Sequence, residues 1–297
     1  MYYLYYLVEN RGLEFGFLSD KIISSWVLLV FAICLMPINW ILETIKWRNL
    51  VIEVQRIDFL EAIQSVLAGI LLSLLTPNRI GELGGKLIYI KKENRTTVLY
   101  LNTVSSISQL LITCIIGIWA VFVIRDFIQF KIIFNDYLLF GVILITTMLL
   151  IFTYFFSNRL SKIVSYFSKK KTSTFIRINS KQRLQLFSYS MLRYLVFCIQ
   201  FFILVQIFEP SITFSESSLL IALIFFFTAL IPTGWISDLP VRTSIAFFIF
   251  ELLGYNGTYG LASSFLLWLV NLLIPALFSL FLLRKVNWMG IIKSNRE

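Results

Sequence analysis

The sequence predicts an all-α fold: a polytopic transmembrane helical bundle with two re-entrant hairpins of broken helix, at places that suggest an inverted repeat. Three observations predict it. Hydrophobic residues make up 58% of the 297 and charged residues only 14%, with a mean hydropathy of +0.83. A soluble chain cannot hide that much apolar surface. Basic residues collect in short segments between apolar runs, as they do on the cytoplasmic side of membrane proteins. Two apolar runs also break off at proline and glycine beside charged residues, at corresponding places in the two halves, which is the sequence pointer to a transporter site at a repeat interface.

No polar stretch is long enough for a separate soluble domain, so residues 1–297 read as one integral membrane domain. Lys and Arg number 26 and Asp and Glu 16, a net charge of +10. In short loops this is a topology signal and an affinity for anionic headgroups, not nucleic-acid binding. The three cysteines, Cys34, Cys114 and Cys198, are widely spaced in apolar runs and read as small buried hydrophobes. There is no histidine, which removes Ser-His, Cys-His and His–metal chemistry. No metal or cofactor is expected. The first residues lack a basic leader and a small-residue cleavage site, so no removable signal peptide is expected.

In chain order, 22–42 is the first span, and Trp40, Lys46, Trp47 and Arg48 mark its cytoplasmic interface. Residues 46–58 read as an amphipathic connection. The apolar run 59–75 then stops at Thr76-Pro77, where Pro77 lacks an N–H and disfavours helix at Thr76. Asn78, Arg79, Gly81, Glu82, Gly84, Gly85 and Lys86 follow at once. The glycines permit unusual backbone and close approach to a ligand. Irregular backbone at membrane depth survives only where protein or a wet cavity satisfies it. With basic residues on both flanks, 59–95 reads as a first broken hairpin whose tip lies near 76–82. A short charged loop outside the membrane is the plainer alternative.

Residues 96–124 form a span whose Asn102, Ser105, Ser106 and Gln109 share one helical face. That face serves either helix packing or a polar wall opposite the motif. Residues 137–156 span again. The 157–183 loop holds eight basic residues, from Arg159 to Arg183, and no acidic one; it is placed in the cytoplasm. Residues 184–208 span outward, with Arg193 near the start. The run 217–231 breaks at Pro232 and Gly234, and Asp238 and Arg242 follow before 245–253. The last span, 259–283, carries Asn271 and Pro275, and the basic tail is placed inside. Parity then makes 214–257 a second broken hairpin, entering from the face opposite the first. The total is about five spans plus two hairpins, against a plain count of seven to nine helices.

At these two blocks the chain resembles the integral-membrane, flippase-like family that includes the membrane domain of bacterial lysylphosphatidylglycerol synthetases. The family's early motif corresponds to Pro77, Arg79, Gly81, Glu82 and, in the basic position, Lys86. Its later motif corresponds to Pro232, Gly234, Val241, Arg242 and Gly254, with Pro240 where glycine is usual and Thr243 where glutamate is usual. The Trp40–Trp47 segment fits the family's first span exit. No soluble aminoacyl-transferase domain is recognisable, so the resemblance implies the translocating part alone, in a bacterial inner membrane.

Ionisable residues in membrane segments are costly and therefore candidates for function. The substrate-binding candidates are Arg79, Glu82, Lys86, Asp238 and Arg242, with Pro77, Asn78, Gly81, Gly84, Gly85, Pro232 and Gly234 as motif backbone. The resemblance implies movement of a phospholipid or lipid-linked envelope precursor between leaflets. Arg79, Lys86 and Arg242 would hold a phosphate, and Glu82 would pair with one of them when the site is empty, or bind a cationic headgroup. Local ion pairing at i, i+3 and i, i+4 is the structural alternative. A membrane transferase with Glu82 or Asp238 as base, or a non-catalytic scaffold for an envelope-lipid enzyme, are the rivals. The expected partners are anionic or polyprenyl-linked lipids, with a homodimer or an envelope-synthesis enzyme as protein partner.

Overall fold

The computed structural model describes residues 15–76, 81–124, 177–231 and 238–284, with scattered positions between 141 and 158. Helices α1 (Phe15–Ser24), α2 (Trp26–Val51), α3 (Phe59–Leu75), α4 (Gly81–Lys86) and α5 (Arg95–Ile124) make the first half. Helices α6 (Ser180–Phe208), α7 (Phe214–Leu230), α8 (Asp238–Leu252), α9 (Gly257–Trp268) and α10 (Ile274–Leu283) make the second. Among the described residues there is no strand. Helix α2, α5, α6 and the α9–α10 pair are long and apolar enough to cross a membrane. The chain is an integral membrane protein on that ground. The predicted span 137–156 and loop 157–183 lie largely outside the described residues.

The second half repeats the first. Helices α3 and α7 each have 17 residues, each begins at phenylalanine one residue after an N-cap, and each ends in extended backbone, at Thr76 and Ile231. In both, a glutamate reaches back to the cap. The Glu61 carboxylate accepts from the Asp58 N–H at 2.9 Å, and that of Glu216 from the Thr213 N–H at 2.7 Å. Packing follows the same pairing. Helix α3 lies on α10, the last element of the other half, and α7 lies on α5, its counterpart.

Equivalent helices α2 and α6 pack on each other. Ala32 meets Gln200, Asn39 meets Arg193 and Lys46 meets Ser190. Numbers rise on one helix as they fall on the other, so the two run antiparallel and the repeat is inverted. Each hairpin starts a few residues after one of these helices ends, so the hairpin mouths lie at opposite ends of the bundle.

The first hairpin folds tightly because of its glycines. A Cβ on Gly85 would overlap the backbone of Gly69 and Ala68, and one on Gly81 would overlap the Leu72 carbonyl. These glycines therefore let α4 lie against α3, a close approach of helix to helix. The Thr76 hydroxyl stitches the break: it donates to the Leu72 carbonyl at 2.9 Å and accepts from the Gly81 N–H at 2.6 Å. That satisfies backbone groups that lipid could not. In the last span, Pro275 cannot donate to a helical carbonyl, and a π-helical turn at Leu269–Leu273 precedes it.

Three expectations change. Helix α2 runs on to Val51, with Lys46 and Trp47 only 2% and 1% exposed, so they are interior residues rather than interface markers. Ser106 is exposed while Asn102, Ser105 and Ser108 are buried, so the polar face of α5 is rotated from the expected one. Cys34 is exposed, unlike Cys114 and Cys198.

The second hairpin offers a simple test of the caps. Thr213→Ala removes the hydroxyl that caps α7 and is expected to cost about 1 kcal/mol, read as a lower melting temperature in detergent.

Candidate functional site

The site grows from one acidic residue in the middle of α2. Asn39, Glu43 and Lys46 are spaced i, i+4 and i+7, so they share one face of α2, and all three are buried. That face meets α6 and the first hairpin. The Glu43 carboxylate receives Lys86 from α4 at 2.7 Å, Lys46 at 3.3 Å, and the Arg193 guanidinium from α6. Arg193 also donates to Asn39 at 2.7 Å, and Lys46 to the Ser190 hydroxyl at 3.4 Å.

Lys86 joins the hairpin to this core. Besides Glu43, it donates to Glu82 at 2.9 Å and to Asn102 of α5 at 3.2 Å, and its ammonium lies 5.6 Å from the centre of the Trp47 ring. Its side chain is buried, whereas that of Glu82 is 40% exposed. Glu82 is therefore the member of the network that opposes Lys86 and still reaches open space. Asn102 performs the polar-wall role weighed for α5, while Ser108 hydrogen-bonds Ser190 at 3.2 Å and serves helix packing.

That open space is a cavity of about 370 Å³, within the range of small-ligand sites. Asn39, Glu43 and Arg193 line it from the central helices, Glu82 from the first hairpin, and Asp238 and Arg242 from the second. Asp238 and Arg242 face each other at 3.8 Å across one turn of α8. The Arg242 guanidinium lies 5.7 Å from the Phe225 ring, which packs edge-on against Tyr194 and Phe197. The wall also holds Trp40, Gln109, Trp268 and Asn271. The indole nitrogens of the two tryptophans and the side-chain oxygens of Gln109 and Asn271 are buried without a hydrogen-bond partner. Unmade hydrogen bonds on buried groups are costly, so this wall has donors and acceptors to offer a polar ligand.

Both sequence motifs thus reach one chamber. Glu82, Asp238 and Arg242 line it, and Lys86 stands directly behind it. Gly81 and Gly85 are packed in the hairpin seam and Gly84 is exposed. Pro77, Asn78, Arg79, Pro232 and Gly234 lie outside the described residues. Sequence reading missed Glu43 and left Arg193 without a role. The available signal was an acidic residue four positions after Asn39 in an apolar helix; placing the interface at Trp40–Arg48 obscured it. Among the described residues no three side chains are grouped to hold a metal ion.

Counted over the described residues of this network, Lys46, Lys86, Arg193 and Arg242 face Glu43, Glu82 and Asp238. Four cations meet three carboxylates inside the helical bundle. A family model described as the lysylphosphatidylglycerol synthase transmembrane region matches residues 20–279. No curated protein matches the chain.

Proposed function

The chain belongs to the family of the lysylphosphatidylglycerol synthase transmembrane region, and from that premise we propose that it is a flippase-like transporter which moves a phospholipid or lipid-linked precursor between leaflets, with the headgroup phosphate in the central cavity. The observation that carries this reading is the cavity itself, where two broken hairpins with mouths at opposite ends of the bundle present charge to one chamber. Broken helices meeting at a repeat interface are the usual setting of a transporter site. Among the described residues the network holds four cations and three carboxylates, and charge inside a membrane protein is costly to keep, which favours an anionic ligand. Arg242 offers the phosphate paired donors, the unpaired indole N–H groups add further donors, and the acyl chains remain in lipid. The membrane is the bacterial plasma membrane in this proposal, with the 157–183 loop and the tail in the cytoplasm.

The test is a flipping assay in vesicles containing the purified chain and phosphatidylglycerol labelled on one leaflet. Arg242→Gln removes a charge-assisted contact and is expected to slow exchange by about ten-fold or more, with the melting temperature near that of the parent. Parental rates in Arg242→Gln would remove the cavity from the transport path. Absence of flipping by the parent chain, for any anionic lipid tried, would favour a scaffold, which has no use for charge between the hairpins.

A further inference from the structure

We propose that the groove between α3 and α10 is a second lipid site, distinct from the central cavity, which holds one acyl chain of an anionic phospholipid and binds its phosphate through Arg284. The groove has a volume of about 810 Å³. Ala68, Leu71 and Leu72 of α3 and Leu277, Leu280 and Phe281 of α10 form its walls, and Arg284 stands at one end. Helix α3 divides the two sites, because Val66, Ile70 and Ser73 on its other side line the polar cavity. Leu277, Leu280 and Phe281 are each more than half exposed, so the groove faces the hydrocarbon, where an acyl chain is the solvent at hand.

The inverted repeat shows that such a groove is not a necessary result of the fold. The equivalent seam, between α7 and α5, is closed. Phe226 there is 1% exposed, and its ring lies so close to Gly117 that a Cβ on the glycine would overlap it. Phe226 and Leu71 hold the same position, the thirteenth, in their 17-residue helices. The second half fills its seam with a ring where the first half leaves room beside a leucine.

Arg284 supplies the charge complementarity. It is exposed, and among the described residues its side chain makes no hydrogen bond or ion pair. An arginine beside an apolar groove matches a lipid phosphate above a chain. Exposed Lys91 and Lys92 follow three and four residues after Ile88, which also lines the groove, and add to the same attraction.

Native mass spectrometry of the full chain, exchanged into equal amounts of phosphatidylglycerol and phosphatidylcholine of one chain length, tests this. The Arg242→Gln variant is the background, so that the cavity's headgroup contact is absent. This background should retain one phosphatidylglycerol; its loss there would assign the bound lipid to the cavity and overturn a second site. Adding Arg284→Ala should reduce the preference for phosphatidylglycerol about ten-fold, and Arg284→Lys should keep most of it. Adding Leu71→Phe, the filling used by the other repeat, should lower the retained lipid count by one. Unchanged preference in Arg284→Ala, or an unchanged count in Leu71→Phe, with normal melting in either case, would overturn the proposal. The flipping assay stands apart from these readouts, so either proposal can fail alone.

Discussion

Glu43→Ala is expected to be the most damaging single polar substitution among the described residues. Lys86, Arg193 and Lys46 converge on this carboxylate from three directions. Without it, Arg193 keeps only Asn39 as a described acceptor, Lys46 keeps Ser190, and Lys86 keeps Glu82 and Asn102. Removing one partner of a buried ion pair costs about 3–5 kcal/mol, because the opposite charge remains buried. Here three cations would remain, so the upper part of that range is expected. The result would appear as low yield of monodisperse protein and a large fall in melting temperature. Glu43→Gln, which keeps the shape, should fall between the two. The test for network behaviour is a double-mutant cycle: Glu43→Gln with Lys86→Met should lose less than the sum of the single losses. An additive cycle, or a parental melting temperature in Glu43→Ala, would show that the cluster does not hold the hairpin to the core.

The second large effect is expected from adding a single methyl group. Gly85→Ala places a Cβ on the backbone of Gly69 and Ala68, where no flexible side chain can yield. Helix α4 must then lift from α3, and overpacking of this kind costs up to about 3 kcal/mol. It also displaces Lys86, the next residue, from Glu43 and Asn102, so loss of flipping should accompany loss of stability. The neighbouring substitution is the control. A Cβ on Gly84 meets only the Leu72 side chain, at 3.9 Å, and the position is exposed. Gly84→Ala should be neutral or stabilising by up to about 1 kcal/mol from helix propensity. Equal melting temperatures for the two variants would contradict the packing of the first hairpin.

The hairpins were legible because their signals are local. A proline cannot donate to a helical carbonyl and disfavours helix at the residue before it, so Pro77 and Pro232 beside glycine and charge mark a break, and the run 59–75 coincides with α3. Charged residues one helical turn apart, Glu82 with Lys86 and Asp238 with Arg242, were legible for the same reason. For the glycines, spacing shows that a close approach is allowed, and the fold adds that helix α3 is what approaches Gly81 and Gly85. On α5, periodicity put Ser106 on the polar face, yet the neighbouring helices bury Asn102, Ser105 and Ser108 instead. Lys46 and Trp47 resembled an interface because basic and aromatic residues gather there. Only contact with Glu43 and Ser190 makes that lysine an interior residue.

Residue order alone reveals the class of molecule and its punctuation: an all-helical membrane bundle, two breaks, and charge at each break. Composition, proline geometry and the cost of charge in lipid act on each segment separately, so they can be read one segment at a time. The meeting of those charges emerges from helix packing. Glu43, Arg193 and Lys86 are far apart in the chain and belong to three helices, and no local pattern tells a buried glutamate which cations will reach it. The antiparallel crossing of α2 and α6 brings two of them together, and the glycine seam of the hairpin delivers the third. A buried charge must find its partners across the fold, so the site became visible only when the helices were packed.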